Sequence, residues 1–538
     1  MLIRIIAALI IIAATFISNR FFIHMFQLNS YQTGTQLKWY NLNLRKIAGE
    51  VIILLLAELA TFVNGVTAWN IPLLKGNKGM LVIALLTLLF SLTHIEKYVK
   101  KKLVYTMRVI RLHVTIYIIV VLVLLYTILT DNTAYACLFS GMIYALMPLI
   151  ILIANLLNRP LEFLVKRYYI NDAKKMLNSN ENLIKIGITG SFGKTSVKYF
   201  LSTILKAKYN TLMTPESYNT PMGITMTIRS KLKNITEVFV AEMGAKRVGE
   251  IKADTDIVRP TCGIITSIGP MHLESFLSMD NIKKTKFELA DSLPKRAILC
   301  INGDDDNIIS YINENKEKYN DKTYNLITYG ITNNVDYQAY DIKVNDRGTC
   351  FKMKIKGSDE GDDITFRTDL IGAHNCINIA GAIALAHNLG MSLKEIRPQV
   401  SKLEAAPHRL ALSKSNDVIT IDDAYNSNPS GAKAALDALN LFEGTKILIT
   451  PGMVELGEKE DELNKEFGKQ SAAVCDYVLL VGVNKTKPIY EGAIQAGMHE
   501  ERVKAFDTIQ EALSFMYTIE SFGEKKIVLL ENDLPDNY

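Results

Sequence analysis

The sequence predicts an N-terminal α-helical transmembrane domain followed by two α/β domains, the last of them Rossmann-like. Three observations predict this class. Apolar runs crowd the first third of the chain, a strand, a glycine-rich loop and a helix follow one another near residue 185, and strands alternate with helices from about residue 416 onward. The 538 residues exceed one ordinary core. A hydrophobic share of 49% and a mean hydropathy of +0.13 exclude general disorder and place part of the chain in lipid. A net charge of +5 is too small at this length for a whole-molecule nucleic-acid binder. Six cysteines, Cys137, Cys262, Cys300, Cys350, Cys376 and Cys475, form no CxxC pair. That excludes a zinc ribbon or disulfide scaffold and fits a reducing, cytosolic compartment.

The expected membrane domain covers residues 1–158. Its apolar runs are Met1 to Ser18 (with Arg4), Val51 to Trp69 (around Glu58 and Asn64), Gly79 to Leu92, His113 to Thr130 and Ala134 to Leu157. Each is near the roughly 20 residues that cross a bilayer, the third being short, and together they read as about five spans. The first run has no clear small-residue cleavage site, so it reads as an uncleaved anchor. Basic residues cluster at Lys97, Lys100, Lys101, Lys102, Arg108 and Arg111, and again at Arg159, Lys166, Arg167, Lys174 and Lys175. The positive-inside rule puts both clusters, and everything after Leu157, in the cytoplasm. The first cluster is a topology signal, or a site for anionic head groups. Glu58 is a functional carboxylate, or one that snorkels or faces a neighbouring helix. Residues 159–180 read as a linker.

Leu183 to Ile186 reads as a buried strand and Val197 to Leu205 as a helix. Between them lies Gly187-Ile-Thr189-Gly190-Ser-Phe-Gly193-Lys194-Thr195-Ser196. This is the context of a phosphate loop, in which backbone N–H groups and a helix N-terminus hold anionic oxygens. Lys194 would reach the β/γ-phosphates and Thr195 would hold Mg²⁺. The spacing departs from GxxxxGK[ST], because Gly187 lies one residue early. Val238 to Ala241 reads as a second strand ending in Glu242, a carboxylate placed to help hold Mg²⁺. A third strand, Gly263 to Ser267, leads to His272, a metal ligand or a loop residue.

As a set, these residues resemble the Mur ligase family of ATP-dependent amide-forming enzymes, nearest its MurF branch, which joins D-alanyl-D-alanine to a UDP-N-acetylmuramoyl-tripeptide. The resemblance runs in family order from about residue 180 to near 485. It is carried by Tyr218-Asn219-Thr220-Pro221-Met222-Gly223, Glu242-Met-Gly-Ala245, Ile268-Gly-Pro-Met-His272-Leu-Glu274 and Lys286-Phe-Glu288. Gly372-Ala-His374-Asn375-Cys-Ile-Asn378, Asp422-Asp423-Ala-Tyr425-Asn426-Ser-Asn428-Pro429 and Met453-Val-Glu-Leu-Gly457-Glu458 complete it. The resemblance implies an acyl-phosphate mechanism with ATP and two Mg²⁺ ions. Lys194, Glu242, His272, Lys286 and Arg409 would be catalytic. Thr189, Gly190, Gly193, Lys194, Thr195, Ser196, Asn375, Asn378 and Asp423 would bind the nucleotide. Thr195, Glu242, His272 and Lys286, the last as a carbamate, would hold metal. Asn219, Tyr425 and Asn426 would meet substrate, although Asn426 and Asn428 read more simply as loop-shaping residues. Asn375 and Asn378 fall near the adenine by family position, or are a polar pair at a helix start. Without the resemblance, Lys283, Lys284 and Lys286 read as an exposed helix face.

The implied central ATP-binding domain spans 181–408 and the C-terminal domain 409–538, with a small β insertion over Asp341 to Phe366. Strands are expected at Val418 to Ile421, Lys446 to Ile449, Tyr477 to Val481 and Lys526 to Leu530. Helices are expected at Ser430 to Leu441, Glu460 to Ala473 and Ile509 to Tyr517. Two departures bear on substrate. Only about 25 residues separate the last apolar run from the phosphate-loop strand, leaving no room there for the family's N-terminal sugar-recognition domain. Pro451-Gly452-Met453 and the Glu531 to Tyr538 tail also differ from the usual amine-binding sequences. The expected function is a ligase in the bacterial cytoplasmic membrane, with cytoplasmic catalytic domains. It would join an amino acid or dipeptide to a cell-wall precursor, with membrane lipid as a partner. The alternatives are a lipid-linked or other acceptor, such as poly-γ-glutamate or modified peptidoglycan, a P-loop-driven transporter, and a degenerate ligase that only binds.

Overall fold

The computed structural model describes the chain apart from residues 67–76, 94–101, 131, 217, 320–323, 333, 359–363, 416, 425–426, 455, 522–524 and 533–538, and apart from the side chains of 44–48, 50, 62, 64–66, 133–134 and 274. It divides into two compact units, Met1–Arg167 and Tyr168–Leu534.

The first unit is helical: α1 (Leu2–Leu28), α2 (Thr33–Leu42), α3 (Leu44–Val66), α4 (Asn77–Thr93), α5 (Met107–Leu129), α6 (Thr133–Ala145) and α7 (Met147–Asn178). Phe22, Ile23 and Phe26 of α1 pack with Leu54, Ile83, Ile116, Val120 and Ile151 in one core. Leucines and isoleucines on the opposite faces stay exposed, Leu56, Leu89, Leu122 and Leu156 among them. Helices apolar all round are the signature of burial in a large core or a bilayer. Among the described residues, three helices, α1, α5 and α7, have the length and composition to cross a membrane, and Val51–Thr61, Asn77–Thr93 and Tyr135–Ala145 are shorter apolar stretches. The expected fifth run is not one helix: it breaks at Leu146, just before Pro148, which has no N–H for the carbonyl four residues back. Residues 159–178, read above as a linker, are the second half of α7, with Pro160 carried inside it.

Arg4 has a structural task. Its guanidinium donates to the carbonyls of Thr127, Ile128 and Thr130, which the end of α5 leaves without helical partners, and to Asn77 Oδ1 at the start of α4 at 2.7 Å. The start of α1, the start of α4 and the end of α5 therefore meet at one end of the unit. Near the other end, Arg111 pairs with Glu162 at 2.7 Å.

The second unit opens on a nine-stranded sheet. In chain order its elements are β1 (Ile184–Thr189), α8 (Lys194–Leu205), β2 (Thr211–Met213), α9 (Pro221–Lys231), β3 (Val238–Glu242), α10 (Glu250–Val258), β4 (Cys262–Ile265), α11 (Leu273–Phe276), α12 (Met279–Asp291), β5 (Ile298–Asn302), α13 (Asp306–Glu314), β6 (Asn325–Gly330), β7 (Tyr337–Asn345), β8 (Gly348–Ile355), β9 (Thr365–Thr368), α14 (Ala373–Asn388) and α15 (Leu393–Val400). The strand order is β2-β3-β1-β4-β5-β6-β7-β8-β9, parallel from β2 to β7 and antiparallel thereafter. The central strands are apolar on both faces because both are covered. Ile186, Ile188, Val238, Val240 and Ile264 pack against α8 and α14, while Phe239, Ala241, Ile265, Leu299 and Ile301 pack on the side of α9, α10 and α12. The expected β insertion instead extends this same sheet as β7, β8 and β9. Alternate residues Tyr337, Ala339, Phe351, Met353 and Phe366 turn inward, so β pairing carries the polar stretch into the domain core.

The last part has β10 (Ala411–Ser415), β11 (Val418–Asp423), α16 (Pro429–Asn440), β12 (Thr445–Thr450), α17 (Glu460–Val474), β13 (Tyr477–Val481), α18 (Lys487–Gln495), β14 (Val503–Phe506), α19 (Ile509–Thr518) and β15 (Lys526–Glu531). Its sheet order is β10-β11-β15-β12-β13-β14, with only β10 antiparallel. Ile421, Leu448, Leu480 and Leu529 face α16, α17 and α18, whereas Ile447, Ile449, Leu479 and Val528 face α19. β10, β14 and α18 were not legible as separate elements.

Candidate active site

In open parallel sheets, ligands sit outside the carboxyl ends of the strands, where the chain turns from one side to the other. Here β1 ends in the glycine-rich loop, β3 ends in Glu242, and β4 exits through residues 266–272. Gly193 N-caps α8 at φ +79, and a Cβ there would stand 2.6 Å from Asn378 Oδ1 of α14. Glycine is required at this position on both counts. The loop is braced from β4: Ser267 Oγ accepts from the Phe192 N–H at 3.0 Å, and Ser191 Oγ donates to the Gly269 carbonyl at 3.1 Å.

Lys194 opens α8 and folds back over its own loop, donating to the carbonyls of Gly190 at 2.7 Å and Ser191 at 2.8 Å. Burial, opposed by Glu242 and reinforced by Arg409, brings its ammonium down to about 8. Thr195 donates to Glu242 Oε1 at 3.2 Å, and the Asn219 amide donates to the same oxygen at 3.0 Å. The other oxygen, Oε2, pairs with Lys198 at 2.9 Å, both side chains being fully buried. Burial works against the Glu242 charge, but Lys198 and Lys194 overcome it and hold the carboxyl below its usual range. Breaking a buried pair of this kind by removing one partner costs about 3–5 kcal/mol, because the other charge is stranded.

The remaining predicted residues take varied positions. Thr189 is turned away, its hydroxyl donating to the Met243 carbonyl at 3.0 Å. Thr195 and Ser196 lie half-buried in the first turn of α8. Asn378 abuts the loop at Gly193, while the buried Asn375 amide donates to the Ile371 carbonyl at 2.9 Å. Lys286, which composition alone puts on an exposed face, is buried on α12, its ammonium 5.9 Å from the centre of the Phe276 ring. Burial first, and Lys194 second, bring it down to about 7. His272 sits at φ 52 as the N-cap of α11. Arg409 lies within electrostatic reach of both Lys194 and Asp423. Asp423 accepts from the Leu410 N–H at 3.2 Å, and burial raises its carboxyl to about 6. Tyr425 and Asn426 lie outside the described residues.

Mg²⁺ favours oxygen donors and binds through one or two carboxylates plus substrate phosphates and water. The Thr195 hydroxyl beside the Glu242 carboxylate fits that chemistry. Among the described residues no cluster of three His, Cys, Asp or Glu side chains gathers. Lys198 was missed in the sequence. Its only signal is its place one helical turn after Lys194, which could equally have been a solvated face.

Residues 188–386 match the Mur ligase middle domain, and residues 408–530 match the Mur ligase glutamate ligase domain. The chain belongs to the Mur ligase family. Within it, the chain is similar to the UDP-N-acetylmuramoyl-tripeptide–D-alanyl-D-alanine ligase of Bacillus subtilis (strain 168), with 31% identity over 53% of this chain and 59% of the relative. It is similar to the Escherichia coli (strain K12) enzyme of the same name, with 28% identity over 61% of this chain and 73% of the relative. A crystal structure of MurF from Acinetobacter baumannii superposes with a TM-score of 0.61 at 26% identity, covering 69% of this chain and 78% of that one. The chain thus spans about three fifths of the length of the Bacillus relative, and the helices α1 to α7 fall outside the matched family domains.

Proposed function

We propose that this chain is an ATP-dependent amide ligase of the MurF type, held in the bacterial cytoplasmic membrane by its N-terminal helices, with residues 181–408 binding ATP and 409–538 presenting the amine. The observation that carries the reading is the convergence of Lys194, Thr195 and Asn219 on Glu242 at the mouth of the glycine-rich loop. An acceptor carboxylate oxygen attacks the γ-phosphorus of ATP and ADP leaves, forming an acyl phosphate. The amine nitrogen then attacks the carbonyl carbon, loses a proton, and phosphate departs from the tetrahedral intermediate. Lys194 and Arg409 supply positive charge to the moving phosphoryl group, where preorganised charge counts most. Thr195 and Glu242, with His272 and a carbamate on Lys286, would hold Mg²⁺, which supplies Lewis-acid charge neutralisation. The buried Lys286 amine, brought down to about 7, is available as the neutral nucleophile that CO₂ requires. Asn375, Asn378 and Asp423 are assigned to the nucleoside, and Asn219, Tyr425 and Asn426 to substrate.

The membrane reading rests on α1, α5 and α7 and on the Arg4 contacts, which make α1 and α5 run in opposite senses. It favours a lipid-linked acceptor over a freely diffusing one. The test is phosphate release by the full-length protein in detergent with ATP and D-alanyl-D-alanine, comparing a UDP-linked with a lipid-linked muramoyl tripeptide. Turnover with the lipid form supports both proposals, and turnover with the UDP form alone supports the ligase and overturns the lipid acceptor. ATP hydrolysis that ignores both carboxylate and amine would overturn the ligase in favour of a transporter.

A further inference from the structure

The Glu242 carboxylate is held from two sides by different means. Oε1 faces the glycine-rich loop and is shared by the Thr195 hydroxyl and the Asn219 amide. Oε2 faces away and meets the Lys198 ammonium at 2.9 Å, in a pocket where Lys198 is 0% exposed. The same ammonium donates to the backbone carbonyl of Glu216, a residue at φ 39. Three residues beyond Glu216 stands Asn219 itself. One side chain on α8 thus ties together the helix that follows the loop, the end of β3 and the segment that delivers Asn219. An ammonium carries three donors and no acceptor, and here it meets Glu242 Oε2 and the carbonyl of Glu216, in the segment that carries Asn219.

We infer that Lys198 is a positioning residue for the metal-holding oxygen of Glu242: it clamps Oε2 and the Glu216 carbonyl so that Oε1 points at Thr195. This rests on the phosphate-loop reading above and deepens it. Lys198 touches neither nucleotide nor metal in this role. Its cation would by itself repel Mg²⁺, so the clamp is useful only if orientation outweighs repulsion, and the sign of the effect decides between the two. Groups that orient a metal ligand from behind typically change metal affinity by about 10- to 100-fold when removed.

The experiment is binding of fluorescently labelled ADP to the full-length detergent-solubilised protein, in EDTA and across a Mg²⁺ titration. Lys198→Met is expected to leave the EDTA affinity within about twofold, and to raise the Mg²⁺ concentration for half-maximal tightening by about tenfold or more. Lys198→Arg, which keeps the charge and the donors, should recover most of that loss. A double-mutant cycle guards against misfolding, because Lys198→Met combined with Glu242→Gln removes both charges and strands neither. The double variant should match Glu242→Gln alone in its Mg²⁺ requirement. An unchanged or lowered Mg²⁺ requirement in Lys198→Met, or a double variant worse than Glu242→Gln, overturns the inference while leaving the phosphate-loop reading in place. Wild-type protein that binds no nucleotide overturns that reading and the inference together.

Discussion

Lys286 and Glu531 show how burial changes what one side chain can do. Lys286 is brought down to about 7, so at neutral pH a large share of it is the neutral amine, and that share shrinks as pH falls. If the carbamate forms, Lys286→Ala should lose phosphate release by about 100-fold or more and regain part of it with added short-chain carboxylic acids. Added bicarbonate should stimulate the wild type more at pH 6.5 than at pH 8, roughly bracketing that titration. Glu531, at the end of β15, accepts from Ser427 and, at 2.7 Å, from Thr450. Burial raises its carboxyl from 4.5 to about 7. Because the folded value lies above the unfolded one, its contribution is full below about pH 4.5 and is lost as pH rises through about 7. Glu531→Gln removes the titrating charge and replaces one accepting oxygen by a donating amide, so its melting temperature relative to wild type should rise between pH 5 and pH 8, roughly the window of this titration. A difference that stays flat across that range would show that the side chain does not titrate there.

At the scale of elements, two close approaches set what can be exchanged. Gly193 brings α8 and α14 together at the loop, and Gly193→Ala meets both a left-handed backbone and Asn378. Its labelled-ADP affinity should fall by about tenfold or more, and Asn378→Ala should not restore it, because the backbone conformation remains. Gly141 lets α6 approach α3: a Cβ there would meet Glu58 Oε1 at 1.8 Å and Glu58 Cγ at 2.7 Å. Gly141→Ala should therefore lower the melting temperature of the detergent-solubilised protein, and Glu58→Ala in the same chain should recover much of the loss. An additive loss would mean that the two helices are not held at this point. The apolar run around Glu58 was legible from composition, whereas the partner that the carboxylate lies against was not.

At the scale of the whole molecule, each unit has a core of its own, one among α1 to α7 and others on the two faces of each sheet. Ala173 and Leu177 at the end of α7 belong to the sheet core of the second unit. A fragment beginning at Tyr168 keeps both. It should melt cooperatively and bind labelled ADP with Mg²⁺ within about threefold of the full chain. If the acceptor is lipid-linked, the same fragment should lose turnover with it while retaining nucleotide binding. A fragment beginning at about residue 181 would remove Ala173 and Leu177 and should be markedly less stable, by about 2–5 kcal/mol for the buried Leu177 side chain.

Much was determined by local sequence alone. The alternation of strands and helices after residue 416, the Gly-Lys-Thr closure after a buried strand, and Glu242 at a strand end are short-range patterns, and the structure reproduces each as an element. Turn chemistry and hydrophobic period act over a few residues, so they are written where they act. What only the tertiary structure decided are matters of partnership between distant segments. The stretch that holds β7, β8 and β9 looks polar in sequence, but these strands extend the main sheet because their alternate side chains join the core that α14 lines. Lys286 looks like a solvated lysine until α12 packs it inward. Arg4 looks like a lone charge in an apolar run until the end of α5 supplies three carbonyls. Lys198 looks like helix surface until Glu242 meets it from a strand some forty residues on. The physical reason is the same in each case: burial and charge pairing depend on which surfaces meet, and no window along the chain contains both partners.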